Sequence, residues 1–107
     1  TINYIGNNLE FAQSTTVYKL AKTLQNSATL DFGSIASLAT ETLTITVTGV
    51  VDGDQVSLGV PNGSMTTGLI YFAWVSAADT VSVQCYNATL GAIDPASGTF
   101  KISVIKQ

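Results

Sequence analysis

Within residues 40–47, Leu43, Ile45 and Val47 alternate with Thr42, Thr44 and Thr46. So strict a period of two fits an extended strand with one face buried and the other wet. The pattern returns at residues 80–86, where Val81, Val83 and Cys85 share a side, and at residues 99–105, where Phe100, Ile102 and Val104 do. Three such strands in 107 residues, with turn residues between them, predict a small all-β domain.

The strand spacing extends this reading. Residues 28–32 form a short strand ended by Gly33-Ser34, and residues 35–39 connect it to the Thr-rich strand. Asp52-Gly53-Asp54 turns the chain into a strand at residues 55–59, with Val56 and Leu58 inward; Pro61-Asn62-Gly63 turns it again. Residues 68–76 are apolar on both faces, with Ile70, Phe72 and Trp74 alternating with Leu69, Tyr71 and Val75. A strand of that kind lies in a two-layer core or against a neighbouring subunit. Ala77-Ala78-Asp79 and the stretch 91–98 make the last connections. Regular strands with hairpin-length links predict an antiparallel β-sandwich or a jelly-roll-like domain over residues 28–107.

Residues 1–27 are expected to form a separate N-terminal arm. Ile2, Tyr4, Ile5, Leu9 and Phe11 are interleaved there with Asn3, Asn7, Asn8 and Gln13, without a clean period. Val17, Leu20, Ala21 and Leu24 then fall at helical spacing, so a short amphipathic helix over residues 16–25 competes with a strand over residues 15–20.

Composition narrows function mainly by exclusion. At 107 residues the chain is one domain, able to bury roughly 65% of its unfolded surface. Only 10% of residues are charged, so Thr, Ser, Asn and Gln do the solvating. Such a surface costs little to desolvate and suits permanent assembly. Net charge is −3, and Lys19, Lys22, Lys101 and Lys106 fall in two separated pairs, which argues against nucleic acid. Histidine is absent, removing the usual general base and the commonest metal ligand. The single Cys85 lies on a buried-type strand face and reads as an inert structural thiol. No apolar run approaches the ~20 residues that would span a bilayer, and residues 1–4 lack signal-peptide character, so cytoplasmic synthesis is the expectation.

The remaining motifs read as structure. Asp52-Gly53-Asp54 lacks the further oxygen donors of a calcium loop, because Gly63 stands at the twelfth position. Asn62-Gly63-Ser64 and Asn87-Ala88-Thr89 match the N-glycosylation pattern, which matters only on a eukaryotic secretory route. No pair of carboxylates is forced together by spacing, and no serine has a base, so an enzyme is not expected and no catalytic residue, metal or cofactor is assigned. Tyr71, Phe72 and Trp74 could stack on a sugar, although neighbours along a strand point to opposite faces.

Five segments carry a family resemblance: residues 30–35 (Leu-Asp-Phe-Gly-Ser-Ile), 42–47, 53–59 (Gly-Asp-Gln-Val-Ser-Leu-Gly), 75–81 (Val-Ser-Ala-Ala-Asp-Thr-Val) and 94–102, beginning Asp-Pro-Ala-Ser-Gly-Thr. Their kind, order and spacing resemble a β module of tailed-phage virion proteins, found in capsid decoration (cement) proteins, head fibres and tail-fibre tips. The match covers about residues 28–106.

The resemblance implies a homotrimeric virion component on the capsid exterior, with the major capsid protein as partner and no catalytic residues. A tail fibre normally has a long shaft upstream of this module, so the short leading segment favours a capsid decoration or head-fibre protein. A receptor- or glycan-binding fibre tip, with a host surface glycan as partner, is the alternative. Leu69, Tyr71 and Val75 are then the expected trimer contacts, and Ile2, Tyr4, Ile5, Leu9 and Phe11 the expected capsid-docking residues.

Overall fold

A computed structural model describes residues 22–106. Six strands follow one another: β1 (Lys22–Leu30), β2 (Thr40–Thr46), β3 (Gln55–Gly59), β4 (Leu69–Ala77), β5 (Thr80–Asn87) and β6 (Gly98–Lys106). The only helical element among the described residues is a 3₁₀ turn at Asn62–Ser64. The strands form two antiparallel three-stranded sheets, ordered β1-β6-β3 and β2-β5-β4. Their inner faces share one core, an arrangement compatible with a β-sandwich.

The alternation seen in the sequence fixes which side chains enter that core. Phe100, Ile102 and Val104 of β6 are buried, as are Val81, Val83 and Cys85 of β5. On β2 only Ile45 is fully buried and Leu43 is half-buried, while its threonines are mostly exposed. Phe32, Tyr71 and Phe100 join the two sheets through edge-on and tilted ring contacts, with centroids 5.3–5.8 Å apart. That geometry suits the ring quadrupoles, and each buried phenylalanine contributes about 1.5–3 kcal/mol by leaving water.

The loops divide between two ends. The chain between β4 and β5, the hairpin before β3, Lys22 and Lys106 lie at one end. The connections before β2, before β4 and between β5 and β6 lie at the other. At the first end Asp79, with φ +61°, is a junction. Its N–H donates to Val50, its carbonyl accepts from Val47 and its carboxylate accepts from Gly49. At the second end Gly98 runs so close to Pro61 that an added Cβ would lie 2.7 Å from its Cγ. Only glycine fits there.

Of the two readings left open, the helix over residues 16–25 does not hold where the chain can be followed. Lys22 to Gln25 are strand, paired through Leu24↔Val104 and Gln25↔Ser103. A helix of ten residues has too little internal bonding to compete with a nine-residue ladder on β6. β1 also crosses the expected boundary between residues 27 and 28, so at least residues 22–27 belong to the sheet. Residues 16–21, the competing strand at 15–20, and Ile2, Tyr4, Ile5, Leu9 and Phe11 lie outside the described residues.

Candidate functional site

The side of the β2-β5-β4 sheet that faces away from the core is the most distinctive surface. Across it run three rows set by the register: Thr40, Thr42 and Thr44 on β2; Tyr86, Gln84 and Ser82 on β5; Ile70, Phe72 and Trp74 on β4. Ile70, Phe72 and Trp74 are 52%, 45% and 40% exposed, a high figure for three apolar side chains in one row. The Phe72 and Trp74 rings lie nearly parallel, 24° apart with centroids at 5.6 Å. Beside them Gln84 donates through Nε2 to Thr42 Oγ1 at 2.9 Å, and Ser82 donates to Ser76 Oγ at 2.6 Å. None of these residues carries a charge.

The residues expected at subunit contact, Leu69, Tyr71 and Val75, lie on the other side of β4, toward the chain's own core. Leu69 and Val75 are each only 4% exposed and belong to the chain's own core. Tyr71 packs against that core, and its hydroxyl donates to the Ser64 carbonyl at 2.7 Å. Burial, with Cys85 close by, pushes the Tyr71 phenol above its ordinary range. Because β4 is apolar on both sides its period alone does not choose the inward one; the side with Tyr71 faces inward, where its ring packs on Phe32 and Phe100.

Cys85 is fully buried, and burial raises its thiol pKa, which keeps it in the unreactive protonated form. Asp52-Gly53-Asp54 behaves as a turn. Gly53 has φ +91°, the Asp54 N–H donates to the Val51 carbonyl, and the Asp54 carboxylate accepts from the Val51 N–H. Lys106 also pairs with Asp54 at 2.6 Å, and these bonds hold its carboxyl below the ordinary carboxylate range. No group of three potential metal ligands occurs among the described residues.

Asn87 carries the least foreseen local structure. It is wholly buried; its Nδ2 donates to the carbonyls of Ile35 and Gly91, and its Oδ1 accepts from the N–H and hydroxyl of Thr89. Its amide is committed to these bonds, so in the folded chain it is no glycan acceptor. The loop it holds presents Leu90 at 90% exposure, beside a connection in which Leu38 adopts φ +58° and is itself exposed. The Asn87-Ala88-Thr89 pattern was visible in the sequence, but as a modification motif rather than a loop brace.

No family model matches the chain, and neither a curated protein nor a solved structure matches it.

Proposed function

We propose that the chain is a structural protein of a tailed-phage virion, of the capsid-decoration or head-fibre kind, which binds the assembled shell as a homotrimer and stabilises it. The observation that carries this reading is where the resembling segments fall. The Leu30–Ile35 stretch closes β1 and sends Phe32 and Ile35 into the core. Gly53 and Asp54 make the turn into β3, Asp79 makes the turn between β4 and β5, and Gly98 packs on Pro61 at the start of β6. All of these are fold-specifying positions, so agreement at each of them speaks for a shared module rather than for chance similarity of composition.

In this reading the protein acts by mass action. A ligand that binds only the assembled shell stabilises it by a free energy that grows with the logarithm of its concentration over its dissociation constant. Ile2, Tyr4, Ile5, Leu9 and Phe11 supply the shell contact. Because β1 starts from the end shared with Lys106, the opposite end, with Leu38 and Leu90, faces away from the shell.

A glycan-binding fibre tip is the second reading, favoured by the exposed, near-parallel Phe72 and Trp74 rings beside the Gln84 amide. Co-sedimentation of the purified chain with mature, expanded phage heads tests the first reading, with imaging of the decorated particles for three-fold protrusions. Saturable binding in multiples of three copies supports it. Absence of binding to heads, combined with quenching of Trp74 fluorescence by a neutral oligosaccharide, overturns it in favour of the second.

A further inference from the structure

We propose that copies of this chain meet through β4, with Ile70, Phe72 and Trp74 at the contact. The inference rests on the homo-oligomeric reading above and adds the surface by which it is achieved. Its first support is electrostatic. Each copy carries a net charge of −3, and a contact surface without charges avoids both local like-charge repulsion and the cost of stripping water from an ionised group. The outer face of the β2-β5-β4 sheet meets that condition, and the other sheet's outer face, which carries Lys101, does not.

The second support is the edge of the same strand. Four strands in the two sheets lie at an edge: β1, β3, β2 and β4. Exposed edges are usually blunted by charge, proline or brevity, because their free N–H and C=O groups recruit other strands. β1 carries Lys22, β2 carries Glu41, and β3 has five residues followed closely by Pro61. β4 has nine residues with neither a charge nor a proline, and its single irregularity lies at its end, between Val75 and Ala77. An unguarded edge beside an apolar face is tolerable when a permanent neighbour covers both.

Geometry then selects the type of assembly. Three side chains fall well short of the roughly 800 Å² that a stable interface takes from each partner. The contact must take in the flanking β5 and β2 rows of the same face as well, and the β4 edge is a separate surface. Each copy can therefore offer its face to one neighbour and its edge to the other, which is the head-to-tail contact that closes a ring.

The test is the native mass of the full chain over a dilution series, by sedimentation, for the wild type, Phe72→Thr with Trp74→Thr, and Leu90→Ser as a control on a still more exposed apolar residue elsewhere. The expected result is a trimer for the wild type and for Leu90→Ser. The Phe72/Trp74 variant should dissociate at a concentration higher by a factor on the order of 100 or more, as loss of aromatic anchors requires, with an unchanged far-ultraviolet β spectrum. A second variant, Ile70→Lys, reaches the same contact without removing an aromatic ring and should also dissociate. A trimer that survives both variants overturns the inference while leaving the virion reading intact. Dissociation as expected, with no affinity of the wild type for phage heads, leaves the inference and overturns the reading. A wild type that is monomeric at tens of micromolar overturns this inference, and a glycan-dependent change in Trp74 emission in that monomer would assign the face to a carbohydrate.

Discussion

The two sheets are built alike, each with three antiparallel strands and a buried inner face, yet their outer faces differ. Outside β1-β6-β3 the register sets Thr23, Gln25 and Ser27 beside Ile105, Ser103 and Lys101, with Gln55 and Ser57 beyond. All but Ile105 are polar, and that one exposed apolar side chain has no apolar neighbour in its row; a shallow depression lined by Gln25, Asn26, Lys101 and Ser103 runs across them. Outside β2-β5-β4 lie hydroxyls, one amide and the Ile70, Phe72 and Trp74 row. Stability of the isolated fold needs neither arrangement, because the core is complete without them. The first face is finished by water; the second is left with apolar area that water does not satisfy.

The comparison can be broken first at the core, where effects on stability are largest. Phe100→Ala removes the ring that joins β6 to Phe32 and Tyr71, and chemical denaturation should show a loss of about 3–5 kcal/mol. Asn87→Ala removes one of two donors from the Ile35 and Gly91 carbonyls, which keep the Ile93 N–H and the Thr89 hydroxyl, and it takes the acceptor from the Thr89 N–H; about 1–3 kcal/mol should be lost in the same assay. Both changes should act on folding whatever happens at the outer faces.

Charge sharpens the comparison without touching the core. Gln84→Glu places a carboxylate on the uncharged face and should weaken self-association at least about tenfold, an effect that added salt reduces in part. Lys101→Gln on the other sheet removes a charge from a face that contacts water and should leave the native mass unchanged. Equal effects of the two changes would remove the distinction between the faces.

The smallest expected effect is at the Asp54–Lys106 pair. Its bonds hold the Asp54 carboxyl below its ordinary range. The stability it lends is therefore present above the unfolded-state carboxylate pKa and is lost as pH falls through the lower folded value. Asp54→Asn should flatten only that acid portion of the stability profile, as read from thermal melts between neutral and strongly acidic pH. The pair is partly exposed, so the change should be modest.

Strand identity was readable wherever one face is buried and the other wet. β2, β5 and β6 follow from the alternation of Leu43 and Ile45, of Val81, Val83 and Cys85, and of Phe100, Ile102 and Val104. β3 followed as well, from Val56 and Leu58 between two turns; what was missed has definite reasons. Leu24 sits at helical spacing from Val17, and only the pairing of Leu24 with Val104, eighty residues on, makes its segment a strand. β4 gave its existence but not its orientation, since apolar residues on both sides leave periodicity silent about which side is inward. The deciding partner is tertiary: Tyr71 finds Phe32, Phe100 and the Ser64 carbonyl on the core side. Asn87 was hidden for a similar reason: Thr89 and Gly91 are its near neighbours in the chain, but Ile35, the partner that fixes its buried place, is 52 residues away.

Trp74 is the chain's single tryptophan, so its fluorescence reports directly on the surface that matters. The emission of the unmodified protein should be recorded from tens of micromolar down to nanomolar concentration, alongside its mass. Association through β4 predicts a blue-shifted emission at high concentration that moves to longer wavelength over the same range in which the mass falls. An emission that never changes with concentration, at a wavelength typical of a partly exposed indole, while the protein remains an oligomer, would contradict the account.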